Sequence, residues 1–146
     1  MRSLRILHIE DSEDDAILFA RACEMAGLPV NFCVARSGSE GVAYLKNERP
    51  SADGDWPPPD LIVLDLNMPG LSGFEFLKWL RQDSRFGSLP VLVFTASARP
   101  EDKSRALEAG ASGYFIKPRD FETLVRLAES FRRFQPNENT NDDDDS

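Results

Sequence analysis

Soft metal ligands are too scarce here for a thiolate or imidazole centre: the 146 residues include two cysteines and one histidine. Cys23 falls on a predicted helix and Cys33 on a predicted strand, without zinc-motif spacing, so buried free thiols are the expectation for both. His8 lies between Leu7 and Ile9 in an apolar strand, where a core or edge position is expected rather than a metal-binding one. Long apolar runs are also missing. The longest hold four or five residues, against roughly 20 for a membrane-spanning helix. Met1-Arg2-Ser3 leads into a strand and not into a signal-peptide core, so a soluble, cytoplasmic protein with no membrane partner is expected. Positive charge is in deficit, and a net charge of −8 argues against a nucleic-acid surface. Part of that charge is local, in the tail acids Asp142 to Asp145. Finally, no glycine-rich turn follows the first strand. Glu10-Asp11-Ser12-Glu13-Asp14-Asp15 stands there instead, five acids in six residues. Such a turn repels a phosphate unless a cation stands between them, which disfavours a nucleotide site and favours a hard metal ion.

What is present is the composition of one globular domain, 41% hydrophobic and 10% aromatic. The pattern alternates along the chain. Strands are predicted over residues 4 to 9, Val30 to Ala35, 61 to 65, Val91 to Thr95 and Gly113 to Ile116. Helices are predicted over Glu13 to Ala26, from Ser37 or Ser39 to about Asn47, over Gly73 to Asp83, from Pro100 to Gly110, and over Asp120 to Phe134. Glu48 to Asp60, with four prolines and a glycine, reads as a long loop. Five strands alternating with five helices predict an α/β fold, a parallel sheet with helices on both faces. The two five-stranded options are the flavodoxin-like order 2-1-3-4-5 and half of a dinucleotide-binding fold, and the acidic first turn disfavours the second. Residues 1–134 form the expected domain, and 135–146 a polar tail with the composition of disorder.

Four strands run out into polar groups. Leu61-Ile62-Val63-Leu64 ends in Asp65, the first strand in Glu10-Asp11, the fourth in Thr95 and the fifth in Lys117-Pro118. The carboxyl edge of an open parallel sheet is where sites form, so acids, a hydroxyl and an amine are expected at one rim. Each alone has an ordinary explanation. Glu10 and Asp11 can cap a helix, Asp65 can serve a turn, Lys117 can be a solvated loop lysine, and Thr95 is common strand composition.

In their joint order these residues resemble the receiver domain of two-component response regulators. The match runs over about residues 4 to 134, through Glu10-Asp11, Leu64-Asp65-Leu66-Asn67-Met68-Pro69-Gly70, Thr95-Ala96, Tyr114 and Lys117-Pro118. The resemblance implies that Asp65 accepts a phosphoryl group from a phosphohistidine of a sensor histidine kinase, as a carboxylate nucleophile that forms an acyl phosphate. It implies Mg²⁺ held by Asp11, Asp65 and the main-chain carbonyl of Asn67, with Glu10 mostly through water. Lys117 would pair with Asp65 before transfer and with a phosphoryl oxygen after it. Thr95 and Tyr114 would carry the switch, the hydroxyl turning toward the phosphoryl group and the ring entering the space left. Ala96 is small and would leave the phosphoryl site open. Asp14 and Asp15 are expected to be surface acids near the rim.

His8 offers no convincing phosphohistidine, so the donor is expected to be another protein. After the last helix about a dozen polar residues remain, too few for an output module, so a stand-alone regulator is expected, binding a partner, relaying phosphate or draining a kinase. No independent enzyme is expected, only self-phosphorylation and autodephosphorylation. The Pro-rich loop, the connector from Gln82 to Pro90 and Phe131-Arg132-Arg133-Phe134 are similar to regulators partnered with phytochrome-type histidine kinases. Monomer and homodimer both stay open. Trp56 is either a partner contact or an aromatic folded onto the domain. The other class is a Mg²⁺-dependent phosphatase or mutase with an aspartyl nucleophile. Such enzymes usually carry a second acid two residues on, where this chain has Asn67.

Overall fold

The computed structural model describes residues 3–46, 58–68 and 70–136. Trp56 and the tail beyond Pro136 lie outside the described residues, as do most of the loop from Glu48 to Asp60 and Pro69. The elements alternate as β1 (Leu4–Ile9), α1 (Glu13–Met25), β2 (Val30–Ala35), α2 (Gly38–Leu45), β3 (Leu61–Leu64), α3 (Gly73–Gln82), β4 (Val91–Thr95), α4 (Pro100–Glu108), β5 (Gly113–Ile116) and α5 (Phe121–Ser130). All strand pairs are parallel, in the order β2-β1-β3-β4-β5.

Burial on both faces explains the unbroken apolar runs of the central strands. Every residue of β3 and β4 is buried, so alternation with polar residues is excluded there. One core layer gathers Leu7, Ile9, Ile62, Leu64, Phe76, Leu77 and Val93 under α2 and α3. The other gathers Ile6, Phe19, Leu61, Val63, Phe94, Leu124 and Phe131 under α1 and α5. Helix starts follow local chemistry. Ser12, Ser37 and Ser72 accept from the third backbone N–H of α1, α2 and α3, and Glu75 returns a bond to Ser72 N to complete a capping box.

Several boundaries differ from the sequence reading by a residue or more, and three of them bear on the site or the packing. The second helix is capped by Ser37 and stops at Leu45, short of Asn47. The third strand ends at Leu64, one residue short of Asp65, whose backbone N–H still bonds to Ile9 O of β1. The last helix stops at Ser130 and tightens into a 3₁₀ turn over Phe131–Phe134. That turn is set by tertiary contacts: Phe131 is fully buried against Phe19 and Phe115, and Arg132 Nη2 donates to the Ala26 carbonyl at 2.5 Å. Phe121 is 39% exposed because it opens α5 at the rim. Cys23 is buried and Cys33 only half-buried. No described helix is long and apolar enough to cross a membrane.

His8 sits in the core, 1% exposed, its ring edge-on to Phe19 at 5.0 Å between centroids. Among the described residues neither ring nitrogen has a hydrogen-bond partner. Burial, helped by the Lys117 charge, holds its pKa down to about 3 against 6.5 for a free histidine. Between those values the unfolded chain binds this proton and the folded chain does not. Stability is therefore full above pH 6.5 and falls as pH drops below it, at a limiting slope of roughly 1.4 kcal/mol per unit. Urea unfolding at pH 7 and pH 5 is expected to show the wild type losing about 1–2 kcal/mol more than His8→Leu. Equal losses in the two proteins would mean that His8 does not drive the acid sensitivity.

Candidate functional site

The register of the sheet brings the polar strand ends together. Ile9 stands beside Leu64 and Thr95 beside Ile116, so Glu10, Asp65, Thr95 and Lys117 emerge at the carboxyl edge of neighbouring strands. Backbone bonds hold the exits: Glu10 N–H donates to Ala35 O at 2.8 Å, Asp65 N–H to Ile9 O at 3.1 Å, and Lys117 N–H to Thr95 O at 2.7 Å. The segment after Asp65 is packed hard onto the start of α3. A Cβ on Gly73 would lie 2.7 Å from Leu66 Cα and 2.8 Å from Asp65 O, so only glycine allows this approach.

Glu10 is 1% exposed, Asp65 6% and Thr95 0%, while Asp11 is exposed. Lys117 Nζ lies 2.8 Å from Glu10 Oε1, 2.8 Å from Asp15 Oδ2 and 3.5 Å from Asp65 Oδ2. Burial, opposed by Lys117 and reinforced by the Asp65 charge, pushes the Glu10 carboxyl up to about 7. Burial pulls the Lys117 ammonium down, but Asp15, Glu10 and Asp65 outweigh it and raise its pKa above the ordinary lysine range. One ammonium thus faces three carboxylates.

Glu10, Asp11 and Asp65 offer oxygens that all lie within 4.8 Å of one another. An oxygen-only donor set of this size, with more acid than the single lysine balances, fits a hard divalent cation. Asn67 N–H donates to Asp65 Oδ1 at 3.3 Å, which keeps residue 67 folded against the acid. Thr95 Oγ1 accepts from Ser97 N–H at 3.4 Å. The Tyr114 hydroxyl donates to the Ser97 carbonyl at 2.9 Å, with the ring half-buried beside β4.

Two residues escaped the sequence reading. Asp15, expected to be a bystander on the surface, is an ion-pair partner of Lys117. The available signal was its place three residues after the Ser12 cap, which directs the first turn of α1 over the rim. Ser97 organises the entry to α4, donating to Asp102 Oδ2 at 2.6 Å and accepting from Arg99 N–H at 3.3 Å.

Comparison with known proteins adds a family. Residues 6–129 match the family described as response regulator receiver domain. The probable methanogenesis regulatory protein FilR2 of Methanothrix harundinacea is 33% identical over 88% of this chain and 81% of its own length. The crystal structure of response regulator RPA3017 in red light signaling of R. palustris superposes with a TM-score of 0.82 at 26% identity, covering 92% of this chain and 94% of that one. The Mn²⁺-bound form of response regulator Rcp1 gives 0.76 at 27% identity, covering 90% and 93%.

Proposed function

Since the chain belongs to the response regulator receiver family, we propose that Asp65 accepts a phosphoryl group from a phosphohistidine on a sensor histidine kinase. An Asp65 oxygen attacks phosphorus, the P–N bond breaks, and the imidazole leaves with its electron pair to be reprotonated by solvent. The product is an acyl phosphate on Asp65. The observation that carries this reading is the ammonium of Lys117 set 3.5 Å from Asp65 beside two further acids. Lys117 neutralises charge on a phosphoryl oxygen as it arrives. Glu10, Asp11, Asp65 and the Asn67 carbonyl would hold Mg²⁺, which supplies further positive charge to the phosphoryl oxygens when bound. Binding of a divalent cation has a parallel in the Mn²⁺-bound form of response regulator Rcp1.

Thr95 and Tyr114 form the switch in this reading. The Tyr114 hydroxyl already reaches the Ser97 carbonyl above Thr95, so a hydroxyl turning toward phosphate is felt at the start of α4. The domain spans residues 1–134 and acts by binding a partner protein or relaying phosphate, in the cytoplasm, as a monomer or homodimer. Likeness to phytochrome response regulators supports a phytochrome-type kinase as the donor.

Incubation with phosphoramidate and Mg²⁺ followed by intact-mass measurement tests the reading. The wild type is expected to gain one base-labile phosphoryl group and Asp65→Asn none. On phosphorylation the wild type is also expected to change amide exchange in α4 and β5, a response that Thr95→Ala loses. An adduct on Asp65→Asn rejects the acceptor assignment, and steady turnover of phosphate esters supports the phosphatase or mutase class instead.

A further inference from the structure

Asp15 pairs with Lys117 but has no role in the transfer described so far. It occupies the third position of α1, where Ser12 Oγ accepts from its backbone N–H at 3.2 Å and fixes the first turn. Its side chain, 39% exposed, reaches across the rim to Lys117 Nζ at 2.8 Å, closer than Asp65 at 3.5 Å. Lys117, 16% exposed, therefore rests against Glu10 and Asp15, and the nucleophile is its most distant carboxylate partner. Glu10 lies in the buried floor of the site, whereas Asp15 stands on a helix and needs no lysine to remain solvated.

We propose that Asp15 is a positioning residue that holds the Lys117 ammonium off Asp65 in the resting protein and so limits how fast a phosphoryl group is accepted. This assignment rests on Asp65 being the acceptor. In the transfer step the new O–P bond forms at Asp65, the bond to the donor's nitrogen breaks with its electron pair leaving on that nitrogen, and the phosphoryl oxygens bring added negative charge to the site. Lys117 moves onto a phosphoryl oxygen, and its pair with Asp15 must open. Asp15 thus stabilises the state before transfer and not the transition state, which is the condition for slowing a step. Once the acyl phosphate exists, Lys117 pairs with it both before and during hydrolysis. Asp15 then leaves the loss of the phosphoryl group unaffected.

The test compares Asp15→Asn with Asp14→Asn, which removes the same charge from the same exposed turn, using phosphoramidate at saturating Mg²⁺. Asp15→Asn is expected to gain the adduct about two- to five-fold faster than wild type, the range a partly exposed ion pair supports. It is expected to lose the adduct at the wild-type rate after the donor is removed, while Asp14→Asn matches wild type in both. In a Lys117→Ala background the acceleration should vanish, since no ammonium is left to release. Equal rates for Asp15→Asn and Asp14→Asn, or an acceleration that survives without Lys117, overturn the assignment while the acceptor reading stands. A wild type that takes up no phosphoryl group overturns both.

Discussion

Replacing Lys117 with alanine is expected to slow phosphoryl acceptance by about a hundred- to a thousand-fold, the usual loss for one preorganised charge-stabilising group. Lys117 is the cation that the ion pairs of this rim share, reaching Glu10, Asp15 and Asp65. Without it, charge spreading over the phosphoryl oxygens meets acids alone, and the effect falls on the transfer step more than on donor binding. The resting protein changes too. Glu10 is buried and already displaced to about 7 with the lysine beside it, and its loss raises that value further and leaves Glu10 protonated at neutral pH. A compact ammonium is not replaced by a planar guanidinium in so tight a group, so Lys117→Arg should stay well below wild type. The measurement is the initial rate of adduct formation by intact mass, with long incubations for the slow variants. Retention of more than about a tenth of the wild-type rate would remove Lys117 from the transfer step.

A large stability loss for a surface-helix side chain away from the site is expected at Arg81. Its guanidinium bonds the Gly110 carbonyl through Nε at 2.9 Å and Nη2 at 2.7 Å, and the carbonyls of Leu89 and Gly87 through Nη1 at 2.8 and 3.1 Å. One side chain on α3 therefore ties the turn after α4 to the segment entering β4. Gly110 has a φ of 109°, and a Cβ there would lie 2.8 Å from Arg81 Cγ, so the turn is shaped around the arginine. Hydrogen bonds to a charged donor contribute about 1.5–3 kcal/mol each, but these share one group and its carbonyls are only partly sheltered. Arg81→Ala is expected to lose roughly 2–4 kcal/mol in urea unfolding, with faster amide exchange at Ala111 and Ser112. A loss below about 0.5 kcal/mol would reduce the clasp to surface decoration.

Periodicity and strand-end chemistry made the framework legible. Leu61 to Leu64 and Val91 to Phe94 cannot alternate when both faces are covered, and the order β2-β1-β3-β4-β5 follows the expectation for such alternation. The meeting of Glu10, Asp11 and Asp65 was legible for the same reason, because each closes or follows a strand of one parallel sheet. Side-chain reach was not. Arg81 reads as an ordinary charge at the end of an amphipathic helix, and its bonds go to carbonyls, which leave no mark in sequence. Asp15 looked like one more solvated acid because its partner lies 102 positions away. The 3₁₀ turn at Phe131 depends on Phe19 and Ala26, both near the opposite end of the chain.

The bond from Arg132 to Ala26 has a practical consequence. It anchors the last described turn at the carboxyl end of α1, and Leu4 N–H is bonded nearby to Pro29 O. In a parallel sheet with helices returning antiparallel, both points lie at the edge remote from the carboxylates. A dye joined at Ser3 or Gln135 therefore starts from the side opposite the reacting rim and leaves that rim open to a donor protein.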